Sequence, residues 1–271
     1  MTGKNTSAWE KVKLSRLSTR PTALDYIELI FDDFIELHGD RVFGDDKAIV
    51  CGLGSLDGKN YTIVAEQKGR DTNENIIRNF GMPNPESYRK ALRIMKQAEK
   101  FNRPIITFID TKGAYPGIGA EERGQGEAIA RNMMEMINLK VPIIVFVIGE
   151  GSSGGALAVG VGDKVIMLEN AVYSILSPEG YATILWKDAS KAEEAAEVMR
   201  LTAEDLYDLK VIDKILKEPE GGAHKDVQNM AQTIKKEIEE NIEQLQKKTI
   251  EDLLQDRYMK FRNMGEYELP K

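Results

Sequence analysis

One order of elements occurs twice in the middle of this chain: a short apolar run, a glycine-rich turn and a helix. Residues 104–109 are mostly apolar and lead through a turn at 110–119 into a helical segment at 120–138. Residues 141–148 repeat the pattern, with a turn at 149–155 and a short helix at 156–161. Apolar runs this short, bounded by turn residues, read as strands buried on both faces. Buried strands joined through helices pair in parallel with right-handed crossovers. The chain is therefore expected to be α/β, built from stacked strand–helix units.

The flanking segments fit that plan. Residues 48–56 and 61–67 flank Asp57-Gly58, a dipeptide that favours a two-residue hairpin turn. Leu24, Ile27, Ile30, Phe31, Phe34, Ile35 and Leu37 recur at helical spacing, which predicts a helix over 22–38. Thr22 with Asp25 forms a capping-box pattern, Gly39 supplies a stop, and His38 closes the last turn. Residues 68–85 read as a long polar loop and 86–101 as a helix. Further on, 164–168, 172–175 and 211–216 read as strands. Helices are expected at 177–186, 191–200 and 203–209, with Pro178 suited to a first turn. Met133, Met134 and Met136 fit a core or a subunit interface.

Residues 1–20 lack periodicity and read as a poorly ordered arm or a partner-binding strap. Residues 21–271 read as one domain, which includes the charged C-terminal helices 226–248 and 250–261. Those helices are too polar to form a core alone and should pack on the body or on a partner.

Acidic side chains number 44 against 37 basic, a net charge of −7. That balance speaks against a nucleic-acid groove or a polybasic membrane surface. No run of about 18 apolar residues is present, and residues 1–20 lack the apolar centre of a secretory signal. A cytoplasmic protein is expected. Cys51 is the sole cysteine, and His38 and His224 are the sole histidines. An intrachain disulfide and a multi-cysteine metal site are thereby excluded, and the chain is expected to hold no metal of its own, or at most a carboxylate-bound one.

The stretch Gly149-Glu150-Gly151-Ser152-Ser153-Gly154-Gly155 carries the most chemical information. It can be a tight strand–helix turn and nothing more. Gly149, Gly151 and Gly154 also fit a dinucleotide fingerprint, with Glu169 near the place of a ribose-binding acid. Gly151, Ser153 and Gly155 fit a nucleophile elbow, and Asp213 and His224 follow in the order a hydrolase relay needs. A further reading uses backbone alone: the Gly154 and Gly155 N–H groups form an oxyanion hole, which needs neither nucleophile nor base. That reading also gives a role to the neighbouring turn Gly113-Ala114-Tyr115-Pro116-Gly117, since two glycine turns at adjacent strand ends shape a ligand crevice.

Several separated motifs resemble one family. They are Gln67-Lys68-Gly69-Arg70, Arg78-Asn79-Phe80-Gly81-Met82-Pro83, residues 105–111 with Gly113-Ala114-Tyr115-Pro116-Gly117, and Ala120-Glu121-Glu122-Arg123-Gly124-Gln125. With them go the stretch 149–158, Gly160-Val161-Gly162-Asp163-Lys164-Val165, Ser177-Pro178-Glu179-Gly180 and Ile184-Leu185-Trp186-Lys187. Together, over about residues 21–262, they resemble the alpha subunits of bacterial acetyl-coenzyme A carboxylase carboxyltransferases. The resemblance implies a crotonase-like fold of ββα units in a superhelical spiral, with a helical C-terminal extension. It implies transfer of a carboxyl group from carboxybiotin to acetyl-CoA, giving malonyl-CoA for fatty-acid synthesis.

The partners implied are a beta subunit, in a heterotetramer of two alpha and two beta chains, and biotin carboxyl carrier protein. An ATP-dependent biotin carboxylase loads the carrier, and the zinc of the complex belongs to the beta subunit. The family's biotin-side donors correspond to Gly154 and Gly155. Gly113, Ala114, Tyr115 and Gly117 are candidate substrate contacts. Lys68 and Arg70 are candidates for a basic rim facing CoA phosphates or the carrier, and otherwise belong to a solvated loop. Lys112 and Ser152 depart from the family's usual residues without touching the Gly154-Gly155 pair. A stand-alone acyl-CoA hydrolase or isomerase of the same fold, and a non-catalytic scaffold, are the competing classes.

Overall fold

The structure, a computed structural model, describes residues 6–265. Eight strands share a mixed sheet: β1 (Asp33–Glu36), β2 (Ile49–Leu56), β3 (Lys59–Glu66), β4 (Ile105–Thr111), β5 (Ile143–Ser152), β6 (Lys164–Leu168), β7 (Val172–Ser174) and β8 (Lys214–Leu216). Their order is β1-β2-β3-β4-β5-β6-β8, with β7 paired to β5 off that path. The β2–β3 hairpin turns on Asp57 and Gly58, whose φ of 48° and 75° suit its twist. From β3 onward the pairings are parallel, and every residue of β4 and β5 is buried.

The helices are α1 (Ala8–Ser15), α2 (Ala23–Ile30), α3 (Thr72–Ile77), α4 (Pro85–Lys100), α5 (Ile118–Glu122) and α6 (Gln125–Met136). They continue with α7 (Ser153–Leu157), α8 (Pro178–Tyr181), α9 (Ala192–Val198), α10 (Ala203–Asp208), α11 (Val227–Leu245) and α12 (Ile250–Arg262). The β4–β5 register positions the site. It runs evenly to Ile109↔Val147 and then shifts to Thr111↔Gly151. Past that irregularity β5 leaves β6 and pairs with β7, which swings the glycine stretch to the rim of the sheet.

Several expectations need correction. The helix predicted over 22–38 ends at Ile30, although the capping box holds: Thr22 N–H and Oγ1 donate to Asp25 Oδ2 at 2.7 and 2.8 Å. Beyond it the chain extends into β1, antiparallel to β2. The reason lies in β2, where Gly52 and Gly54 leave room for the Phe34 and Phe31 rings; a Cβ at either position would stand within 3 Å of them. Gly39 and His38 thus belong to a loop, in which His38 Nδ1 lies 3.0 Å from Asp45 Oδ2. The helix expected over 120–138 breaks at Gly124, whose φ is 82°. The polar loop 68–85 contains α3. The residues read as a turn at 149–152 are strand. Gly149 and Gly151 occur there because the Asp110 carboxylate and the Tyr173 ring occupy the places of their side chains.

The segment expected as a poorly ordered arm or strap is, from Ser7, a capped helix on the body. Ser7 and Glu10 form a capping box, and Val12 packs beside Val172, Ala196 and Leu201. Behind it the fully buried Arg20 donates to the Ile148 carbonyl at 2.8 Å and to Glu218 at 2.6 Å. The C-terminal helices pack on the body. α11 buries Met230, Ile234, Ile238, Ile242 and Leu245, and α12 buries Leu253 and Arg257. The Arg257 guanidinium donates to Asp163 and to the Met136, Leu139 and Val141 carbonyls at 2.7–3.0 Å. Met136 is core, whereas Met134 is exposed.

Candidate active site

The site lies where β4 and β5 end. Past Thr111 the chain turns through Lys112 and Gly113. Thr111 Oγ1 accepts the Gly113 N–H at 3.0 Å and donates to the Gly81 carbonyl at 2.6 Å. Tyr115 N–H donates to the Pro83 carbonyl at 3.0 Å. Gln125 Nε2 donates to the Pro83 and Tyr115 carbonyls, both at 2.9 Å. Gly113 has φ +124°, and the Tyr115 ring folds over Gly117, where a side chain would collide with it.

On the β5 side Ser153 adopts φ 56° and starts α7. The Gly154 and Gly155 N–H groups precede the first intrahelical bond, and among the described residues neither has a side chain or a neighbouring loop as acceptor. The two turns meet backbone to backbone. A Cβ on Gly155 would lie 2.7 Å from Ala114 N and 2.7 Å from Gly113 C. Gly155 is therefore buried in the wall between the turns. One on Gly154 would stand 3.4 Å from Ile129, an ordinary contact.

Two cavities flank this wall. A crevice of about 410 Å³ is lined by Gly113, Ala114, Tyr115, Gly154, Ile129 and Ile175 among others. A chamber of about 490 Å³ holds Arg16, Lys68, Arg70, Phe80, Asp110, Glu150 and Glu179. Lys112 and Ser177 border both. The structure thus brings Gly154, Gly113, Ala114 and Tyr115 together and sets Lys68 and Arg70 in the neighbouring chamber.

Charge in the chamber is largely paired. Lys68 Nζ lies 2.9 Å from Asp110 Oδ2 and donates to the Ser15 carbonyl at 3.2 Å. Arg70 pairs with Asp25. Arg16 spans Glu150 at 2.8 Å and Glu179 at 2.7 Å. Burial pushes the Glu150 carboxyl up, and Arg16 counters only part of that. Near Asp110, Glu66 is fully buried, and burial together with the Asp110 charge drives its pKa well above the usual carboxylate range. Lys112 has no ion pair among the described residues.

Sequence reasoning missed Arg16, Asp110, Glu150, Glu179 and Phe80 as parts of the site. Phe80 and Asn79 both have left-handed φ, 56° and 49°. Such strain is held by Asn79 Nδ2 donating to Asp46 at 2.9 Å and by the Thr111–Gly81 bond. The usable signals were an acid inside a glycine run, at Glu150, and the Arg78-Asn79-Phe80-Gly81 motif.

The rival readings lose their partners. Asp213 accepts the Val165 N–H at 2.6 Å and pairs with Lys260. His224 sits in the short turn Ala223–Lys225, and no hydrogen bond links Ser153, Asp213 and His224. Glu169 is held by Lys217 at 2.5 Å, and α7 has only 5 residues, too short for a dinucleotide crossover.

The family model described as acetyl co-enzyme A carboxylase carboxyltransferase-like matches residues 2–265. The chain belongs to that family. Among its relatives, the acetyl-coenzyme A carboxylase carboxyl transferase subunit alpha of Clostridium perfringens is 61% identical over 95% of this chain and 95% of its own. That of Staphylococcus saprophyticus is 59% identical over 97% of this chain and 84% of its own. Among solved structures, a Pseudomonas malonate decarboxylase hetero-tetramer in complex with coenzyme A matches with a TM-score of 0.68. It is 16% identical, over 88% of this chain and 92% of that one. Transcarboxylase 12S matches with a TM-score of 0.66 at 16% identity, over 100% of this chain and 48% of that one. The crotonase-like fold implied by the family resemblance is the fold observed. No helix among the described residues is long and apolar enough to cross a membrane.

Proposed function

We propose that this chain is the alpha subunit of a carboxyltransferase and that it supplies the biotin side of the site. Carboxybiotin, carried on biotin carboxyl carrier protein, is the carboxyl donor, and acetyl-CoA held with a beta subunit is the acceptor. The product is malonyl-CoA, and the complex works in the cytoplasm. The observation that carries the reading is the pair of uncommitted N–H groups, Gly154 and Gly155, at a wall between two glycine turns. Negative charge left on a ureido oxygen when the N–C bond breaks needs such fixed donors. Each is worth roughly 3–4 kcal/mol in the transition state. No side-chain relay accompanies Ser153, which suits a reaction in which the freed biotin nitrogen takes the acetyl methyl proton.

Gly113, Ala114 and Tyr115 shape the opposite side of the crevice, and Gly117 lets the Tyr115 ring fold back. Lys68 and Arg70 serve the adjoining chamber through their ion pairs, so Lys112 is the better candidate for a free cation at a phosphate or carrier rim. Beside Gly154 opens an apolar depression of about 510 Å³, lined by Leu157, Val161, Tyr173, Ile175, Phe261 and Met264. Ile175 there is 75% exposed. We assign that face to the beta subunit, which would close the site and carry the zinc of the complex.

The test is malonyl-CoA decarboxylation with free biotin, assayed on the purified chain with and without a beta-type subunit, together with its zinc content. The proposal expects turnover only in the complex and no zinc in this chain. Full turnover by the chain alone, or stoichiometric zinc in it, would contradict it.

A further inference from the structure

The N-terminal helix ends at the roof of the charged chamber. Arg16, just past its last turn, joins two acids from different elements. Its Nε donates to Glu150 Oε1 at 2.8 Å, and its terminal nitrogens donate to Glu179 at 2.7 and 3.3 Å. Glu150 stands on β5 directly before Gly151. Its own N–H donates to Asp110 Oδ1 at 3.0 Å. Asp110 pairs with Lys68, and Lys68 Nζ donates back to the carbonyl of Ser15, the neighbour of Arg16. Ser15, Arg16, Glu150, Asp110 and Lys68 therefore close a ring around the end of β5.

That ring encloses the part of β5 with the least conformational preference of its own. Gly149 and Gly151 carry no side chains to hold their place, and glycine adopts many backbone angles. Between them Glu150 is the one side chain, and it ties this stretch of the strand to its surroundings. Its carboxylate meets Arg16 from α1, which also holds Glu179 of α8; Asp110 and Lys68 face it from β4 and the β3 end. We infer that Arg16 is a positioning residue for carboxyl transfer, setting the end of β5 and so the direction of the Gly154 and Gly155 N–H groups. The inference rests on the oxyanion role proposed for those glycines.

Removing Arg16 has a consequence that a purely structural role does not share. Glu150 is already pushed up by burial, and without its guanidinium it faces Asp110, whose partner is Lys68, with Glu179, Arg70 and Lys112 lining the same chamber. Protonated, it can stay buried and hold the strand. Ionised, it is drawn toward water and takes the turn with it. The activity of an Arg16→Met enzyme, relative to wild type, should therefore fall as pH rises through the Glu150 titration.

The test uses the assembled enzyme, with kcat, KM and pH profiles for wild type, Arg16→Met, Arg16→Lys and Arg16→Met/Glu150→Gln. Misplacing the donors by about an ångström predicts a kcat loss of roughly 10- to 100-fold for Arg16→Met, with KM for acetyl-CoA little changed. Arg16→Lys keeps the charge but not the two-armed grip. It should recover part of kcat and remove the added pH dependence. The double variant should lose that dependence too, because glutamine does not titrate. Wild-type kcat and pH profile in Arg16→Met would overturn the inference. A pH dependence that persists in the double variant would do so as well. If Arg16→Met does not assemble, Arg16→Lys carries the test, and a wild-type kcat in it would count against the inference. Failure of the oxyanion reading is distinguishable, since it would show as normal turnover when the Gly155 donor itself is removed.

Discussion

Arg257 and Arg16 each tie a terminal helix to the sheet, but at opposite ends of its parallel strands. Arg257 is buried among Asp163 and the carbonyls of Met136, Leu139 and Val141, where β5 and β6 begin. Arg16 meets Glu150 and Glu179, where β5 ends. Ligands of open α/β sheets bind at the carboxyl ends of strands. The comparison therefore separates a fastener that maintains the fold from one that shapes the proposed site, although both are arginines at or beside a terminal helix.

Arg257→Met should test the first half with the largest effect. It leaves three buried carbonyls without the guanidinium and Asp163 without its cation, though still accepting the Ile143 N–H, which should cost about 3–5 kcal/mol of stability. Urea unfolding reads that loss, while turnover per folded complex should stay near wild type. A large kcat loss at unchanged stability would erase the distinction between the two ends.

At the other end, Gly155→Val should cut turnover by roughly 10²-fold or more. The Cβ does not point into open crevice; it meets the Gly113–Ala114 backbone, so thermal stability should fall as well. Gly154→Ala makes the sharper contrast, because its Cβ makes only an ordinary contact with Ile129. Turnover within several-fold of wild type is expected there, measured on complexes matched by size exclusion.

A smaller effect concerns acid. Burial pushes the Glu218 carboxyl up, but the Arg20 charge and hydrogen bonds, with Asn170, outweigh it and hold its pKa below the ordinary 4.5. Its stabilising contribution is thus complete above that value and is lost as pH falls through the lower folded one. Acid below about pH 4.5 should loosen residues 7–20 before the C-terminal helices, read by hydrogen exchange. Simultaneous release of both ends would contradict this.

Much of the fold was legible because its signals are local. The Asp57-Gly58 turn, the apolar runs of β4 and β5 and the two glycine turns follow from period and turn chemistry. The 22–38 segment was misread because its fate depends on Gly52 and Gly54, far along the chain, which admit the Phe34 and Phe31 rings. Arg16, Arg20 and Arg257 were passed over because charged side chains ordinarily face water, and burial with a partner is a tertiary fact. The same holds for Gly155. Its identity was readable, but the direction its side chain would take was not.

The most direct test of the proposed site removes one hydrogen-bond donor and adds no side chain. Replacing the Gly155 amide by an ester, in the alpha chain assembled with its beta-type partner, deletes the N–H while leaving the contact with Gly113 and Ala114 intact. The account predicts a kcat loss of roughly 10²-fold, with assembly and KM for acetyl-CoA near wild type. Near-normal turnover in the correctly assembled ester variant would contradict it and leave these glycines with a turn-forming role alone.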